Sequence, residues 1–213
     1  MGPSEKNEPE RSSQILSSSL LDCFVLVSTV ASRMGGNVCE ECDRIAAMQI
    51  PPFLRGEIEG VHWLVSVWLR NLDEVEETVQ KWAGNLTPEG FWWVPAPETN
   101  PIGGLVQHIG GSSYRLLLRG TAQEIPEALR IRPAEEMAPS GRAPEEVLAE
   151  FEQNLERIRV GLRALEAEDL MRTVRVGPHQ VKAVYVLDHI AAHAQHHAGQ
   201  IITTRKLWEA RNR

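Results

Sequence analysis

The chain has 213 residues, with 22 Lys and Arg against 29 Asp and Glu, and a formal net charge of −7 when histidine is neutral. Its apolar fraction of 42% and its charged fraction of 24% are typical of globular proteins and exclude wholesale disorder. Nonspecific nucleic-acid binding requires a basic surface that neutralises phosphates, so we expect no nucleic-acid partner for this acidic chain.

The first 50 residues differ in composition from the rest and lack a sustained helical period. We interpret residues 1–50 as a largely flexible extension, with one helix around Ser13 to Met34, and residues 51–213 as the folded domain. The longest apolar run, Cys23 to Ala31, is too short to cross a bilayer. The polar start of mixed charge is also a weak signal peptide. We therefore predict a cytoplasmic protein without a membrane partner.

Three cysteines cannot form a complete disulfide framework, which agrees with a reducing compartment. Cys39 and Cys42 form a CxxC pair. A structural zinc site would need a second ligand pair nearby, and a redox motif would need a strand before it and a helix after it. Neither context is present in the sequence, so we interpret the pair as incidental.

The first helix is predicted from Ile58 to the residue before Gly84, a glycine suited to end it. Its apolar residues recur at steps of three and four and therefore share one face. They are Val61, Leu64, Val65, Trp68, Leu72, Val75, Val79 and Trp82. Three prolines in the following link exclude a long helix there, although Thr87 before Pro88 is suited to begin a single turn.

The second helix is predicted to begin with Asn100 as its N-cap and Pro101 in its first position, and to reach about Leu118. A long connection with three prolines separates it from the third helix, which begins near Pro144. The apolar stripe of the third helix comprises Val147, Leu148, Phe151, Leu155, Ile158, Leu162 and Leu165. The fourth helix is predicted from about Val181 to Trp208.

Strand signals are nearly absent, because the one alternating run, TVRVG at residues 173–177, is too short to found a sheet. Four amphipathic helices, each with one dominant apolar stripe, must bury those stripes against one another. The sequence therefore predicts an all-α fold, a four-helix bundle.

Four of the seven histidines lie within nine residues of the fourth helix, in the run DHIAAHAQHHAGQ. At about 100° per residue, His193 and His197 share a face with the apolar residues Val186, Ile190 and Ile201. Two inward imidazoles one turn apart must both find polar partners in a dry space. Hydrogen bonds to backbone or hydroxyl groups are the plain alternative, but one cation bound by both rings also satisfies them.

His108 is a third candidate ligand, because it lies on the inward stripe of the second helix with Leu105, Ile109, Ser112 and Leu116. Three neutral nitrogen ligands leave a divalent ion with its full charge and at least one open position, which is typical of catalytic rather than structural sites. We therefore predict a mononuclear metal site at His108, His193 and His197. The HExxH, GxxxxGK and GxSxG motifs of other site types are absent.

The sequence allows more than one role for several residues near these histidines. His189 could replace a ligand, contact one, or lie at the edge of the core. His196 is expected to be more peripheral, either in solvent or in contact with a ligand. Gln200 could orient a ligand or cap the end of the bundle. Asp188 is predicted to face away from the site.

Three blocks of the sequence resemble the DinB/YfiT-like superfamily of metal-binding four-helix bundles. They are EGVHWLVSVWLRNLDEV, the link ending in WWVPAPETNPIGGLVQHI, and HAQHHAGQI. The likeness covers roughly Glu59 to Trp208. It implies a bundle that binds Zn²⁺, Ni²⁺ or a similar ion through three histidines, here His108, His193 and His197, and that is often a homodimer.

Characterised members of that superfamily include thiol S-transferases and isomerases that use low-molecular-weight thiols. Many members have HHRGQ where this chain has Ala198 in place of the arginine. We expect a metal-dependent enzyme, most simply one that transfers a thiol to a small electrophile or isomerises it. There are three alternatives: a metal-dependent hydrolase, a non-catalytic metal-binding stress-response module, and a bundle that retains the histidines without binding a metal.

Overall fold

A computed structural model describes residues 50–213. The predicted extension, including its helix from Ser13 to Met34 and the pair of Cys39 and Cys42, lies outside the described residues except for Ile50. Within the described range, no helix combines the length and the apolar character needed to cross a membrane.

Residues 50–213 contain seven α-helices and one hairpin of two strands, together with 3₁₀ turns at Pro52–Leu54 and Glu127–Leu129. In chain order the elements are α1 (Trp63–Ala83), α2 (Pro88–Phe91), α3 (Ile102–Gly120), α4 (Pro133–Glu136), α5 (Pro144–Arg163), α6 (Ala167–Met171), β1 (Thr173–Val176), β2 (His179–Lys182) and α7 (Ala183–Arg211). The long helices α1, α3, α5 and α7 bury most of their apolar residues in one core. The predicted four-helix bundle is therefore confirmed.

Helix starts differ from the prediction by a few residues, for local reasons. The helix predicted from Ile58 begins at Trp63, after Gly60 at φ +76°. His62 is its N-cap, and the Nδ1 atom of this ring accepts a hydrogen bond from the Leu64 N–H at 3.3 Å. The predicted turn after Thr87 is confirmed, since the Thr87 hydroxyl accepts from the Gly90 N–H at 3.3 Å.

The predicted N-cap of the second helix is wrong by one residue. Pro101, not Asn100, is the N-cap of α3, because its extended backbone (φ −69°, ψ 157°) places its carbonyl to accept from the Leu105 N–H at 3.0 Å. Likewise, α7 begins after Lys182 rather than at Val181, since both of these residues belong to β2.

The alternating run at residues 173–177 does form a strand, contrary to the prediction. Thr173–Val176 pairs antiparallel with His179–Lys182, and the turn between them contains Gly177 at φ +58°. Val174 is buried in the core, so one face of the hairpin packs on the bundle. Such support is what allows four-residue strands to be stable.

The second helix of the bundle, α3, is central rather than one-sided. It packs against α5 and α7 and is buried along both flanks, apart from a few partly buried positions and the exposed Arg119. The sequence predicted only one inward stripe. Glycines of α3 allow a close approach both of the residue that follows α4, Met137, and of α7. A Cβ atom on Gly104 would lie 2.1 Å from the carbonyl oxygen of Met137, and one on Gly120 would lie 2.5 Å from the side chain of Leu187.

Substituting Gly104 tests this packing. We expect Gly104→Ala to lower the free energy of unfolding by about 1–3 kcal/mol, because the new methyl group meets backbone that cannot rotate away. Gly199 is the matched control, since a Cβ there would meet nothing within 4 Å. Gly199→Ala should raise the free energy of unfolding by up to about 1 kcal/mol through helix propensity. Urea unfolding measures both, and equal changes would contradict the packing described.

Candidate metal centre

Three imidazole rings converge inside the bundle, one from α3 and two from α7. The Nε2 atoms of His108 and His193 are 3.3 Å apart, and those of His193 and His197 are 3.1 Å apart. One nitrogen of each ring lies within 4.8 Å of the others. His108 and His197 are buried, with 4% and 8% of their surface exposed, and His193 is partly buried. The structure thus brings together the three residues predicted as ligands.

Two of the three nitrogen separations match those around a tetrahedral ion. Nitrogen ligands lie about 2.0–2.1 Å from zinc, and two such ligands at the tetrahedral angle are about 3.3–3.4 Å apart. The observed separations of 3.3 and 3.1 Å are close to that value. The Nε2 atom of His193 is therefore spaced from those of His108 and His197 as ligands of one such cation would be.

Glu136 fixes the ring of His108. The Nδ1–H of His108 donates to Glu136 Oε2 at 2.8 Å, and Arg115 donates to both oxygens of the same carboxylate at 2.8 and 2.6 Å. Burial disfavours the charged carboxylate, but the hydrogen bonds from Arg115 and His108 outweigh it and hold the pKa of Glu136 below its ordinary value. An ionised acceptor at Nδ1 leaves the Nε2 lone pair of His108 facing the centre.

Gln200 fixes the ring of His197 in the same way. The Nδ1–H of His197 donates to Gln200 Oε1 at 2.7 Å, and the amide nitrogen of Gln200 faces His196 Nε2 at 3.5 Å. Gln200 therefore orients His197, which is one of the two roles considered from the sequence. The Nε2 lone pair of His197 also faces the centre.

His193 lies between these two lone pairs. Its Nδ1 atom is 3.5 Å from the Ser112 hydroxyl, and its Nε2 atom faces both other rings. A proton on His193 Nε2 could be donated to only one of them, so at least one inward lone pair has no donor. A cation would accept all three lone pairs, so the donor set fits a metal ion.

The charge state of the rings also suits ligation. Burial and repulsion from the neighbouring histidines, above all His197, lower the pKa of His193 to about 4. Burial likewise lowers the pKa of His197, although the hydrogen bond that its ring donates to Gln200 acts in the opposite direction. Both rings are neutral near pH 7, as metal ligands must be.

The other polar residues of α7 lie around this centre rather than in it. His189 and His196 are exposed, and their ring centroids are 5.5 Å from His193 and 5.1 Å from His197. Asp188 accepts a hydrogen bond from Trp68 Nε1 at 3.0 Å. The prediction that Asp188 faces away from the site is therefore confirmed.

Sequence reasoning missed Glu136 and Arg115. Glu136 ends the short helix α4, which lies in the proline-containing connection, 28 residues after His108. The one local signal is Gly111, where a Cβ atom would lie 2.0 Å from Glu136 Oε1. A glycine beside an inward histidine leaves space for a carboxylate, but it does not reveal which one.

The centre opens on a cavity of about 600 Å³. His108, Ser112 and His193 contribute to its lining on the side of the metal centre. A second cavity of about 390 Å³ includes Gln200 and His196 but none of the three converging rings. A ligand that reaches the centre is therefore expected in the larger cavity.

The sequence profile described as the DinB superfamily matches residues 71–201, more than half of the chain. The matched segment contains His108, His193 and His197. No curated protein matches the chain.

Several solved structures share the fold. A conserved protein from Enterococcus faecalis is 18% identical with a TM-score of 0.56, covering 68% of this chain and 96% of its own. A DinB-like protein from Bacillus cereus ATCC 10987 is 17% identical with a TM-score of 0.53, covering 65% and 89%. YfiT from Bacillus subtilis, described as a probable metal-dependent hydrolase with an unusual four-helix bundle topology, is 16% identical with a TM-score of 0.51, covering 67% and 86%.

The lowered pKa of His193 predicts how the metal-free protein responds to acid. Between the ordinary pKa of 6.5 and about 4, the unfolded chain binds a proton at this position and the folded chain does not. Above pH 6.5 this ring does not change the free energy of unfolding with pH. As the pH is lowered from 6.5 towards 4, it lowers the free energy of unfolding by about 3 kcal/mol. The lowered pKa of His197 decreases the free energy of unfolding in the same direction as the pH falls.

Urea unfolding in the presence of a chelator at pH 7, 6 and 5 measures this loss. His193→Gln removes the titrating ring, so its free energy of unfolding should fall less steeply over the same range. Equal stability of the unaltered chain at pH 7 and pH 5 would show that His193 titrates normally in the folded state.

Proposed function

The chain belongs to the DinB superfamily, and we propose that it is a metal-dependent enzyme whose divalent ion is held by His108, His193 and His197. The observation that carries this proposal is the pair of inward Nε2 lone pairs that Glu136 and Gln200 impose on His108 and His197. Two acceptors aimed at a third ring have no other common partner within the described residues.

A set of three histidine ligands favours a catalytic ion over a structural one. Three neutral ligands leave one position of a tetrahedral ion open, and two of these residues line the large cavity. An ion bound there would lower the pKa of a coordinated water or thiol and so supply a nucleophile near pH 7. The protein contributes fixed ring orientations, through Glu136 and Gln200, and a Ser112 hydroxyl beside His193.

We propose thiol transfer to a small electrophile as the reaction, in agreement with the resemblance found in the sequence. A sulfur–carbon bond forms, the bond to the leaving group breaks with its electron pair, and the thiol proton passes to solvent. A related isomerisation would use the same thiolate. Zinc or nickel is the proposed ion, and a low-molecular-weight thiol and a second copy of the chain are the proposed partners.

Hydrolysis is the second candidate. It is favoured by the fold shared with YfiT, a probable metal-dependent hydrolase. The same residues would serve it, because the histidine set suits activation of water as well as of a thiol. Substrate tests therefore have to include both nucleophiles.

Metal content tests the ligand assignment. Protein purified without a histidine tag should contain about one divalent ion per chain by elemental analysis, and His193→Ala should contain almost none. His189→Ala is the matched control, since it removes an exposed histidine one turn away on the same helix. Equal metal content in these two variants, or none in the unaltered chain, would contradict the proposed ligands.

Glu136→Gln tests whether the carboxylate that orients His108 contributes to the affinity for the ion. It keeps the shape of the side chain but removes the charge that orients His108. The ion should still bind, with an affinity about 10–100-fold lower. An unchanged affinity would show that the Glu136 contact does not support the site.

Turnover tests the reaction. The metal-loaded protein should react a panel of low-molecular-weight thiols with a chromogenic electrophile, and His108→Ala should be inactive while keeping its fold. Release of the leaving group without added thiol would favour hydrolysis. Metal binding without turnover on any substrate, together with a large loss of melting temperature on metal removal, would favour a structural ion.

A further inference from the structure

The wall of the large cavity is basic, although the chain as a whole is acidic. Its lining includes four arginines and no carboxylate, in a chain with a net charge of −7. They are Arg115, Arg119, Arg130 and Arg132. The side chains that line the cavity therefore differ in charge from the chain as a whole.

These arginines are not equally available. Arg115 is engaged with the buried Glu136, whereas Arg130 pairs with Glu124 and Glu127, whose side chains are 87% exposed. Such exposed pairs contribute little to stability and exchange readily. Arg119 lines the cavity and has no ion-pair partner among the described residues.

Arg119 also lies on the same face of α3 as the metal centre. His108, Ser112, Arg115 and Arg119 follow one another at steps of four, three and four. Seven residues of helix separate Ser112 from Arg119, a rise of about 10 Å. The lining between them includes apolar side chains, among them Leu116, Ile125 and Ile131.

We propose that this cavity binds a small anionic substrate whose carboxylate, or similar oxyanion, is held by Arg119 and Arg130. Its apolar middle lies against Leu116 and Ile131, and its reactive end reaches the three-histidine centre. The proposal rests on the proposed function for the reactive end. The anion subsite itself is made by residues outside the metal ligands, so it can be tested separately.

A matched pair of thiols tests the subsite on the cobalt-loaded protein. Mercaptohexanoate and mercaptohexanol differ only in their terminal carboxylate or hydroxyl group, and thiolate binding to cobalt gives a charge-transfer band that reports affinity. We expect the carboxylate to bind about tenfold more tightly, as for one charge-assisted hydrogen bond at a partly exposed site. Arg119→Gln should lower that preference to about threefold or less, because Arg130 remains, and should leave the affinity for mercaptohexanol unchanged.

Arg163→Gln is the matched control, because it removes the same charge at an exposed position outside the cavity. It should keep the tenfold preference. If cobalt and both thiols bind but the preference is missing, or is retained in full in Arg119→Gln, the anion subsite is wrong and the metal centre stands.

A metal-free arm covers the case in which cobalt does not bind. The Nε–H resonance of Arg119, assigned by its loss in Arg119→Gln, should shift when hexanoate is added to metal-free protein and should not shift with hexanol. If cobalt fails to bind but this resonance shifts, the proposed function is wrong and the anion subsite stands. No shift with hexanoate would overturn the subsite in that case.

Discussion

The buried carboxylate of Glu136 is the interaction on which the candidate site depends. It accepts hydrogen bonds from both terminal nitrogens of Arg115 and from the Nδ1–H of His108, and so joins α4 to the middle of α3. A lone carboxylate at this depth would be strongly unfavourable, and removing one partner from such a cluster leaves an uncompensated charge. The position of α4, the charge balance of the core and the orientation of one proposed ligand therefore depend on one side chain.

Hydrophobic periodicity predicted the four long helices because each has apolar residues at steps of three and four over many turns. It did not predict the central place of α3. Gly104 and Gly120 have no side chains to mark the flanks that pack closely on Met137 and Leu187. It also missed the hairpin, because the partner strand His179–Lys182 is mostly exposed and carries no alternating pattern of its own.

Convergence of the three rings could be predicted because two of them share one face of α7 and the third lies on an inward position of α3. The contact of Gln200 with His197 could also be predicted, because the two residues are three apart on the same helix. Glu136 was not, because its contact with His108 depends on where a four-residue helix packs after a long connection. Sequence periodicity indicates the face on which a side chain lies, but not which distant segment packs on it.

The cavity is bounded by two parts of the molecule that differ in burial. On one side, α3 and α7 belong to the dense interior. On the other side, residues 125–133 form a connection in which no residue is fully buried. Replacing exposed side chains in such a connection usually changes the stability of a domain very little. Side chains of this connection that line the cavity, such as Arg130 and Ile131, can therefore be replaced at little cost to the packing of the helices that carry His108 and His193.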